Sequence, residues 1–281
     1  MHSDKISKTT KLLIFSDIHF SGTHDIKKLE KLIERVKSYE IDYICIPGDV
    51  IDVPNINCDY MVKFFTKLGN ISPVILSLGN HDIRIKKQEY ERYYDNDFWD
   101  KISNLNNVYL LNNNCKSFKD VYFYGFTQSF NYYYEYMNEN KDLMKKEMKE
   151  YGVCERLPNK LNVLLMHSPI CISDKKIKKE LSKYDIILSG HMHNGVVPPI
   201  LDELFDNNRG IIAPNKKVFP KNARGIIKNE NLTVISSGVT KISNSAGKML
   251  KWLDMFFPIG INYIEITNEK IDFKKSVKYY R

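Results

Sequence analysis

YICIPGDVID, residues 43–52, joins an apolar run to a turn that carries two carboxylates. Tyr43–Ile46 is apolar throughout, which is typical of a central parallel strand that is covered on both faces. Gly48 and Asp49 then break the run with residues that favour turns. A strand that ends in an acidic turn predicts a polar group at the carboxyl edge of a sheet, where ligands bind in open α/β folds.

The segments on both sides of this stretch repeat the alternation of strand and helix. Upstream and downstream we predict strands at Lys11–Ser16, Val74–Leu78, Asn162–Met166 and Ile186–Ser189, and helices at 26–36 (capped by Asp25), near Cys58–Leu68, near Lys87–Ile102 and at Asp174–Lys183. Strands that alternate with helices indicate parallel βαβ units, and therefore an α/β fold.

The remaining segments predict shorter elements and one domain over 1–281. Strands are expected at Val108–Leu111, Cys115–Phe118, Val121–Tyr124, Gly225–Ile227, Thr233–Ser236, Tyr263–Thr267 and Ile271–Lys274. We expect a flexible segment at 1–10, a helical insertion at 128–156 formed by one helix after a loop, and a long loop at 198–222 near the site.

Composition excludes several classes of protein. The 281 residues carry a net charge of +8, with 43% hydrophobic and 27% charged residues, which is ordinary for a globular chain. No apolar run is long enough for a membrane span or a signal peptide. The five cysteines show no paired framework, so we expect free thiols, a reducing compartment and a cytoplasmic location. The lysines are scattered, which favours solvated helix faces over a nucleic-acid or anionic-lipid footprint.

Five short polar motifs stand at the ends of predicted strands. They are Asp17-x-His19, Gly48-Asp49-x-x-Asp52, Gly79-Asn80-His81-Asp82, His167 and Gly190-His191-x-His193. Each motif alone is weak, since Asp after Gly is common in turns. In a sheet the carboxyl ends of parallel strands share one edge, so these side chains are expected to meet in one crevice.

The donor types in these motifs predict a metal centre. Carboxylate, amide and imidazole groups without thiolates suit Mn, Fe or Zn. Seven of these donors exceed the four of a tetrahedral site, but they suffice for two ions if one carboxylate bridges them. The seven are Asp17, His19, Asp49, Asn80, His167, His191 and His193. Two ions can bind a phosphoryl group and activate a bridging water for in-line attack.

The five motifs resemble those of the calcineurin-like metallophosphoesterases, over about residues 11 to 267. The resemblance implies a four-layer αββα sandwich of two mixed sheets, with a dinuclear site at the carboxyl ends of the strands. It implies one metal held by Asp17, His19 and His193, a second held by Asn80, His167 and His191, and Asp49 bridging the two. His81 would act as general acid or as transition-state stabiliser, Asp52 would orient motif backbone, and Asp82 would orient His81.

The tail resembles a small bacterial group often called YkuE-like. The resemblance rests on Gly195, Pro198-Pro199, Arg209-Gly210, Pro214 and Ile235–Val239. The chain has Asn194-Gly195 where His-Gly-Gly is common in that group, and Met192 where Thr or Ser is usual. It also lacks the N-terminal membrane segment that is common there.

A few residues carry alternative interpretations. Arg84 could contact a substrate phosphate or be a surface residue. The aromatic side chains at 132–134 and Tyr136 could form a wall over the site, although packing at a helix start is favoured. Trp252, Phe256 and Phe257 could form an apolar lip or a membrane-touching patch, although core packing is favoured.

These observations predict a metal-dependent phosphoesterase that attacks a phosphomonoester or phosphodiester with a hydroxide bridging two divalent ions. The ions are expected to be Mn, Fe or Zn, with Mn supporting activity. The first alternative is a nuclease of the same fold, although no clear nucleic-acid module is present. The second is a scaffold that binds metal without catalysis. The partner is a phosphorylated substrate whose identity the sequence leaves open, as it does the oligomeric state.

Overall fold

The computed structural model describes residues 1–52, 59–83, 96–134, 141–151, 156–205, 208–214, 216–228, 230–240, 254 and 257–268. The helices are α1 (Ile26–Lys37), α2 (Asp59–Gly69), α3 (Asn96–Ser103), α4 (Phe130–Tyr134), α5 (Lys141–Glu150) and α6 (Lys175–Leu181). The strands are β1 (Thr10–Ile14), β2 (Tyr43–Pro47), β3 (Val74–Ser77), β4 (Val108–Leu110), β5 (Asn114–Ser117), β6 (Val121–Phe126), β7 (Leu161–Met166), β8 (Ile186–Ser189), β9 (Gly225–Lys228), β10 (Leu232–Ile235) and β11 (Asn262–Ile266).

The strands form two mixed sheets. The first sheet has the order β11-β1-β2-β3-β4, in which β1 to β4 are parallel and β11 is antiparallel to β1. The second has the order β5-β6-β7-β8-β10-β9, in which the four central strands are parallel and both edge strands are antiparallel. Parallel neighbours therefore place the carboxyl ends of consecutive strands side by side in each sheet.

Alternate residues of each strand face opposite layers, and this alternation builds a four-layer αββα sandwich. In β1, Leu13 packs with α1 and α2 on the outer face of the first sheet. Leu12 and Ile14 point the other way and pack against residues of the second sheet, such as Phe123. The outer face of the second sheet is covered by α5 and α6, where Met144 lies in the core. The predicted fold class is confirmed.

Most predicted elements exist, with boundaries shifted by one or two residues. Within 128–156 the described residues form two helices, α4 and α5, rather than one. Asp25 precedes α1, but its carboxylate does not cap the helix. It accepts hydrogen bonds from the amide and the hydroxyl of Ser21 instead, so the predicted cap is wrong. The predicted strand Ile271–Lys274 lies outside the described residues.

The first ten residues are held in place, whereas the sequence predicts a flexible segment. The amide of Ser3 donates to Thr267 O at 2.8 Å, which extends the pairing beyond β11. Ile6 is buried between the two sheets. Lys5 forms an ion pair with Asp185 at 2.6 Å. These contacts fix the segment against both sheets.

The cysteines agree only in part with the expectation of free thiols. Cys45 and Cys171 are buried and free, as predicted. Cys115 is disulfide-bonded, so the expectation of a chain without disulfides is wrong at this position. Separately, no helix among the described residues has both the length and the apolar character to cross a bilayer.

Candidate metal centre

Every motif residue that the sequence singles out lies in a loop just after a parallel strand. Asp17 and His19 follow β1, Asp49 and Asp52 follow β2, Asn80, His81 and Asp82 follow β3, His167 follows β7, and His191 and His193 follow β8. Both sheets therefore contribute loops to one edge of the sandwich. Arg84 lies outside the described residues.

Three overlapping groups of side chains bring their ligand atoms within 4.8 Å of one another. They are Asp17 with His19 and His193, His19 with Asp49 and His81, and Asp49 with His167 and His191. The first and third groups reproduce much of the two ligand sets that the resemblance implies. We call Asp17, His19 and His193 the Asp17 side, and Asn80, His167 and His191 the His167 side.

Asp49 lies between the two sides. Its Oδ2 is 3.5 Å from Nε2 of His19 and 3.0 Å from Nε2 of His167. Its Oδ1 accepts a hydrogen bond from the amide of His81 at 2.9 Å. Asp17 lies farther from the same rings, with Oδ1 at 3.9 Å from Nε2 of both His19 and His167. Asp49 is thus placed to act as the shared ligand.

Backbone carbonyls set the orientation of two histidines. Nδ1 of His167 lies 2.7 Å from Pro47 O, and Nδ1 of His193 lies 2.8 Å from Thr240 O. A ring nitrogen that faces a carbonyl carries the proton and donates it. The other nitrogen, Nε2, faces the carboxylates of the cluster, which is the orientation that a metal-binding histidine needs once that nitrogen has lost its proton.

Two buried polar atoms of the motif residues have no hydrogen-bond partner. They are Nε2 of His19 and Oδ1 of Asn80. A buried polar atom without a partner costs roughly 1–3 kcal/mol, so the two atoms call for a further partner. Imidazole and oxygen donors around Asp49 fit a divalent cation of the Mn, Fe or Zn type.

The loops that carry these donors adopt strained backbone conformations. Positive φ angles occur at Asp17 (53°), His19 (49°), Asp49 (56°), His191 (69°) and His193 (47°). Such conformations cost about 1–3 kcal/mol each for residues other than glycine, and they cluster at functional sites. Gly79 makes one of the close approaches possible, because a Cβ there would overlap the carboxylate of Asp49. The strain supports a functional role for this edge.

The structure exchanges the roles that the sequence assigns to Asp52 and Asp82. Asp82 is fully buried, and its carboxylate accepts the amides of Asp49, Val50, Ile51 and Gly79 at 2.8–3.1 Å. It therefore orients motif backbone, which was the role expected of Asp52.

Asp52 is instead the partner of His81, the role expected of Asp82. Oδ1 of Asp52 lies 3.0 Å from Nδ1 of His81 and 3.4 Å from Nδ1 of His19. The loop after β3 packs against the loop after β2. The carboxylate of Asp82 therefore meets the amides of Gly79 and Asp49, and Asp52 lies beside the rings of His81 and His19.

Burial and neighbouring charges shift the pKa values in the cluster. Burial lowers the pKa of His19 to about 4, and the charge of His81 adds to this. Burial also opposes protonation of His167, but the Asp49 carboxylate outweighs it and raises the pKa of His167 to about 9. Burial opposes ionisation of Asp49, but His167 and His81 outweigh it and hold its pKa well below the usual range. The cluster thus keeps an ionised carboxylate at its centre, and His167 would release a proton on binding a cation.

The pKa values of Asp52 and Asp82 are shifted in opposite directions. Hydrogen bonds from His19 and His81 outweigh burial at Asp52 and lower its pKa. At Asp82 burial dominates and, together with the charge of Asp49, raises the pKa to about 7. Asp52 is therefore the carboxylate that stays ionised beside His81.

Side chains of α4 and of the residues just before it support the His167 side, and none of the five motifs contains them. The ring of Tyr133 lies 5.5 Å from that of His191 and 6.4 Å from that of His167. The hydroxyl of Tyr133 donates to Oε1 of Gln128 at 2.7 Å. Gln128 also accepts the amide of Ser168 at 2.8 Å and donates to Ser168 O at 3.2 Å.

The aromatic segment therefore divides between core and site. Tyr132 is buried in the outer core of the second sheet, as the favoured interpretation predicts. Tyr133 lies beside the histidines, as the alternative predicts. The side chain of Tyr134 and the whole of Tyr136 lie outside the described residues, as do Trp252 and Phe256.

The calcineurin-like phosphoesterase family matches the chain over residues 10–195, a range that contains all five motifs. The chain belongs to this family, a class of hydrolases that act on phosphoester bonds, and the resemblance noted from the motifs is confirmed.

The chain is similar to bacterial proteins and to solved structures, of which examples follow. It is 23% identical over 201 residues to an uncharacterized metallophosphoesterase of Helicobacter pylori strain J99, which covers 71% of this chain and 48% of that protein. It is 26% identical over 238 residues to one of Aquifex aeolicus strain VF5, with 78% and 79% covered. The chain thus spans about half the length of the Helicobacter relative. The structure of an archaeal phosphodiesterase shares 14% identity at a TM-score of 0.39 and covers 92% of this chain and 99% of that one.

Proposed function

We propose that the chain is a phosphoesterase that hydrolyses a phosphomonoester or phosphodiester with two divalent ions held at the edge of the sandwich. The observation that carries the proposal is the close grouping of ligand atoms around Asp49, with His19 and His81 in one group and His167 and His191 in another, each group lying within 4.8 Å. The donor set suits Mn, Fe or Zn, and we expect Mn to support activity.

The residues of the two sides would hold one ion each, and Asp49 would contact both. Asp17, His19 and His193 would bind the first ion, while Asn80, His167 and His191 would bind the second. When bound, the ions supply Lewis acidity to the phosphoryl oxygens and lower the pKa of a water that attacks in line. Pro47 and Thr240 keep the ligating nitrogens of His167 and His193 turned toward the cluster.

His81 is placed to give a proton to the leaving group. Asp52 holds Nδ1 of His81 at 3.0 Å, which leaves Nε2 of that ring to face a substrate. His81 is partly exposed, with 10% of its side chain accessible, whereas Asp52 is fully buried. This arrangement suits a general acid positioned by a buried carboxylate. Asp82 acts at a distance from the substrate, by fixing the backbone of Asp49.

Turnover by protein that is stripped of metal and then reloaded with Mn, Fe, Zn or Mg tests the proposal. The substrates are p-nitrophenyl phosphate and bis-p-nitrophenyl phosphate, and Asp49→Asn is the matched control. We expect metal-dependent hydrolysis that Asp49→Asn abolishes. The ratio of the two rates distinguishes a phosphomonoesterase from a phosphodiesterase.

Failure to take up metal, together with no turnover of either substrate, would overturn the proposal and favour the scaffold. Strong, salt-dependent binding of DNA would narrow the function to the nuclease. Four further expectations stay predictions: the single domain, the cytoplasmic location, the YkuE-like subgroup and contact of Arg84 with a substrate phosphate.

A further inference from the structure

Five large apolar side chains are exposed on one stretch of the chain, shortly after the last histidine motif. Their exposed fractions are 89% for Ile200, 78% for Leu204, 39% for Ile212, 68% for Val218 and 59% for Phe219. Among the residues that the structure describes, Tyr151 is the one other large hydrophobic residue classed as exposed, at 41%. We call these five residues the apolar patch. Apolar side chains concentrated in this way mark an interaction surface.

The patch has a defined structure that turns its side chains outward. Ile212 and Val218 form an antiparallel bridge, and the amide of Phe219 donates to Ile211 O at 2.9 Å. The ring of Phe219 stacks on that of Phe205 with 6.4 Å between centroids. Phe205 directly follows the short 3-10 helix Pro199–Leu204, so the two parts of the patch are joined.

In this stretch small apolar side chains are buried and larger ones are exposed, which is the reverse of the usual pattern. Ala213 and Ala223 are buried in the outer core of the second sheet, while Val218 and Phe219 are exposed. Folding alone favours burial of the larger apolar side chains. This reversal is the pattern expected of a surface that contacts another molecule.

Basic side chains surround the patch. Arg209, Lys216, Lys217 and Lys221 are exposed between residues 200 and 221. The sequence of that range also carries three acidic residues, Asp202, Glu203 and Asp206, of which Glu203 is exposed among the described side chains. Exposed apolar groups beside lysines and arginines are typical of proteins that lie on anionic membranes, since the apolar groups enter the interface and the cations meet the head groups.

The patch is attached directly to the metal centre. The amides of Ile211 and Ile212 both donate to Gly195 O, at 2.8 and 3.2 Å. Gly195 stands two residues after His193, and a Cβ at Gly195 would overlap Gly210. The segment that carries the patch therefore packs on the loop that carries the last two histidines.

We propose that the apolar patch and its flanking cations dock the protein on an anionic lipid bilayer. A second copy of the chain is disfavoured as the occupant, because a symmetric contact would gather the exposed lysines of both copies around one interface. Ile200 and Leu204 are so exposed that they stand out from the surface, which suits insertion among acyl chains. The proposal does not depend on the proposed function, since docking is measured without turnover.

Binding of the full chain to sedimenting vesicles tests the proposal. The vesicles contain phosphatidylcholine alone, or phosphatidylcholine with an equal part of phosphatidylglycerol. We expect binding to the mixed vesicles that weakens with salt. Lys216→Glu with Lys217→Glu should weaken it roughly 30-fold or more, since each basic residue near the surface contributes about fivefold and two are replaced. Leu204→Ser with Phe219→Ser should weaken it about tenfold or more.

A matched pair on α1 controls for net charge. Lys27→Glu with Lys31→Glu changes the charge equally at exposed positions, and should alter vesicle binding by less than about threefold. All variants should keep the far-ultraviolet circular dichroism spectrum and the thermal midpoint of the parent chain, which shows that they fold. The proposal is wrong if the parent chain does not bind the mixed vesicles, or if both lysine pairs weaken binding equally. A dimer that sedimentation shows to dissociate in Leu204→Ser with Phe219→Ser would also overturn it and assign the patch to a second copy.

Discussion

The Asp17 side and the His167 side of the metal centre are held in place by different kinds of contact. On the Asp17 side the contacts come mainly from the main chain of the loop after β10. Thr240 O meets Nδ1 of His193 at 2.8 Å, the amide of Thr240 donates to Asp17 O at 2.9 Å, and that of Val239 donates to Ser16 O at 2.8 Å.

On the His167 side the additional contacts come from side chains. Gln128 binds both the amide and the carbonyl of Ser168, the residue after His167, and Tyr133 packs on His191. A main-chain contact survives most substitutions, whereas a side-chain contact is removed by one. One substitution can therefore weaken cation binding on the His167 side alone. A change to Asp49, which lies between the two sides, should affect both.

Replacement of Asp49 should impair metal binding on both sides at once. Asp49→Asn keeps the shape of the side chain but removes the charge that lies within 3.5 Å of both His19 and His167. We expect kcat/KM to fall by about 1,000-fold and the metal content of both sides to fall. Elemental analysis and turnover measure this. Loss of one ion with full retention of the other would show that Asp49 serves one side only.

Replacement of Asp82 should weaken the backbone that carries the ligands. Asp82→Asn leaves one acceptor oxygen for four amides and brings an NH₂ group against them. We expect the free energy of unfolding to fall by about 3 kcal/mol, measured by urea unfolding. Asp100→Asn, an exposed carboxylate on α3, is the control and should change it by less than about 0.5 kcal/mol. Equal effects of the two substitutions would contradict the role given to Asp82.

The pair of Asp52 and His81 should affect the rate more than the metal content. His81→Ala and Asp52→Asn are each expected to lower kcat about 100-fold. The double variant should be no slower than the slower single variant, because the two residues act as a unit. If the rate loss of the double variant equals the product of the two single losses, Asp52 and His81 act independently. His81 would then be positioned by a different residue, such as Asp82.

The smallest effect is expected at the support of the His167 side. Gln128→Leu should weaken binding of one of the two ions about tenfold and leave the other unchanged, since it removes the contacts that fix the residue after His167. Stepwise titration with Co²⁺, followed by its absorption spectrum, separates the two events. Tyr133→Phe should show a weaker form of the same effect. Tyr132→Phe, the same change at a neighbouring core residue, should show none, and an equal effect of both would refute the account.

The sequence predicts the location of the site well, because the order and direction of the strands decide which residues lie at the carboxyl edge of each sheet. A polar residue after a parallel strand must lie at the carboxyl edge, so Asp17, Asp49 and His167 could be assigned from strand ends alone. The partners of these residues follow from the paths of the loops. Asp52 and Asp82 both follow strands, and nothing in their spacing shows which loop lies beneath the other.

Other features of the site leave no mark in the sequence. Thr240 acts through its carbonyl and amide, which nearly every residue type would also supply. Tyr133 and Gln128 stand in a segment whose aromatic residues equally predict core packing. Exposure of Val218 and Phe219 runs against their hydrophobicity, so it is visible only in the structure.

Electron paramagnetic resonance of the Mn²⁺-loaded chain tests the central claim most directly, because it reports whether two ions lie within a few Å of each other. We predict two Mn²⁺ ions per chain with an exchange-coupled spectrum, which Asp49→Asn converts to the spectrum of isolated ions. One ion per chain, or two ions without coupling in the parent chain, would contradict a centre in which Asp49 joins the two sides.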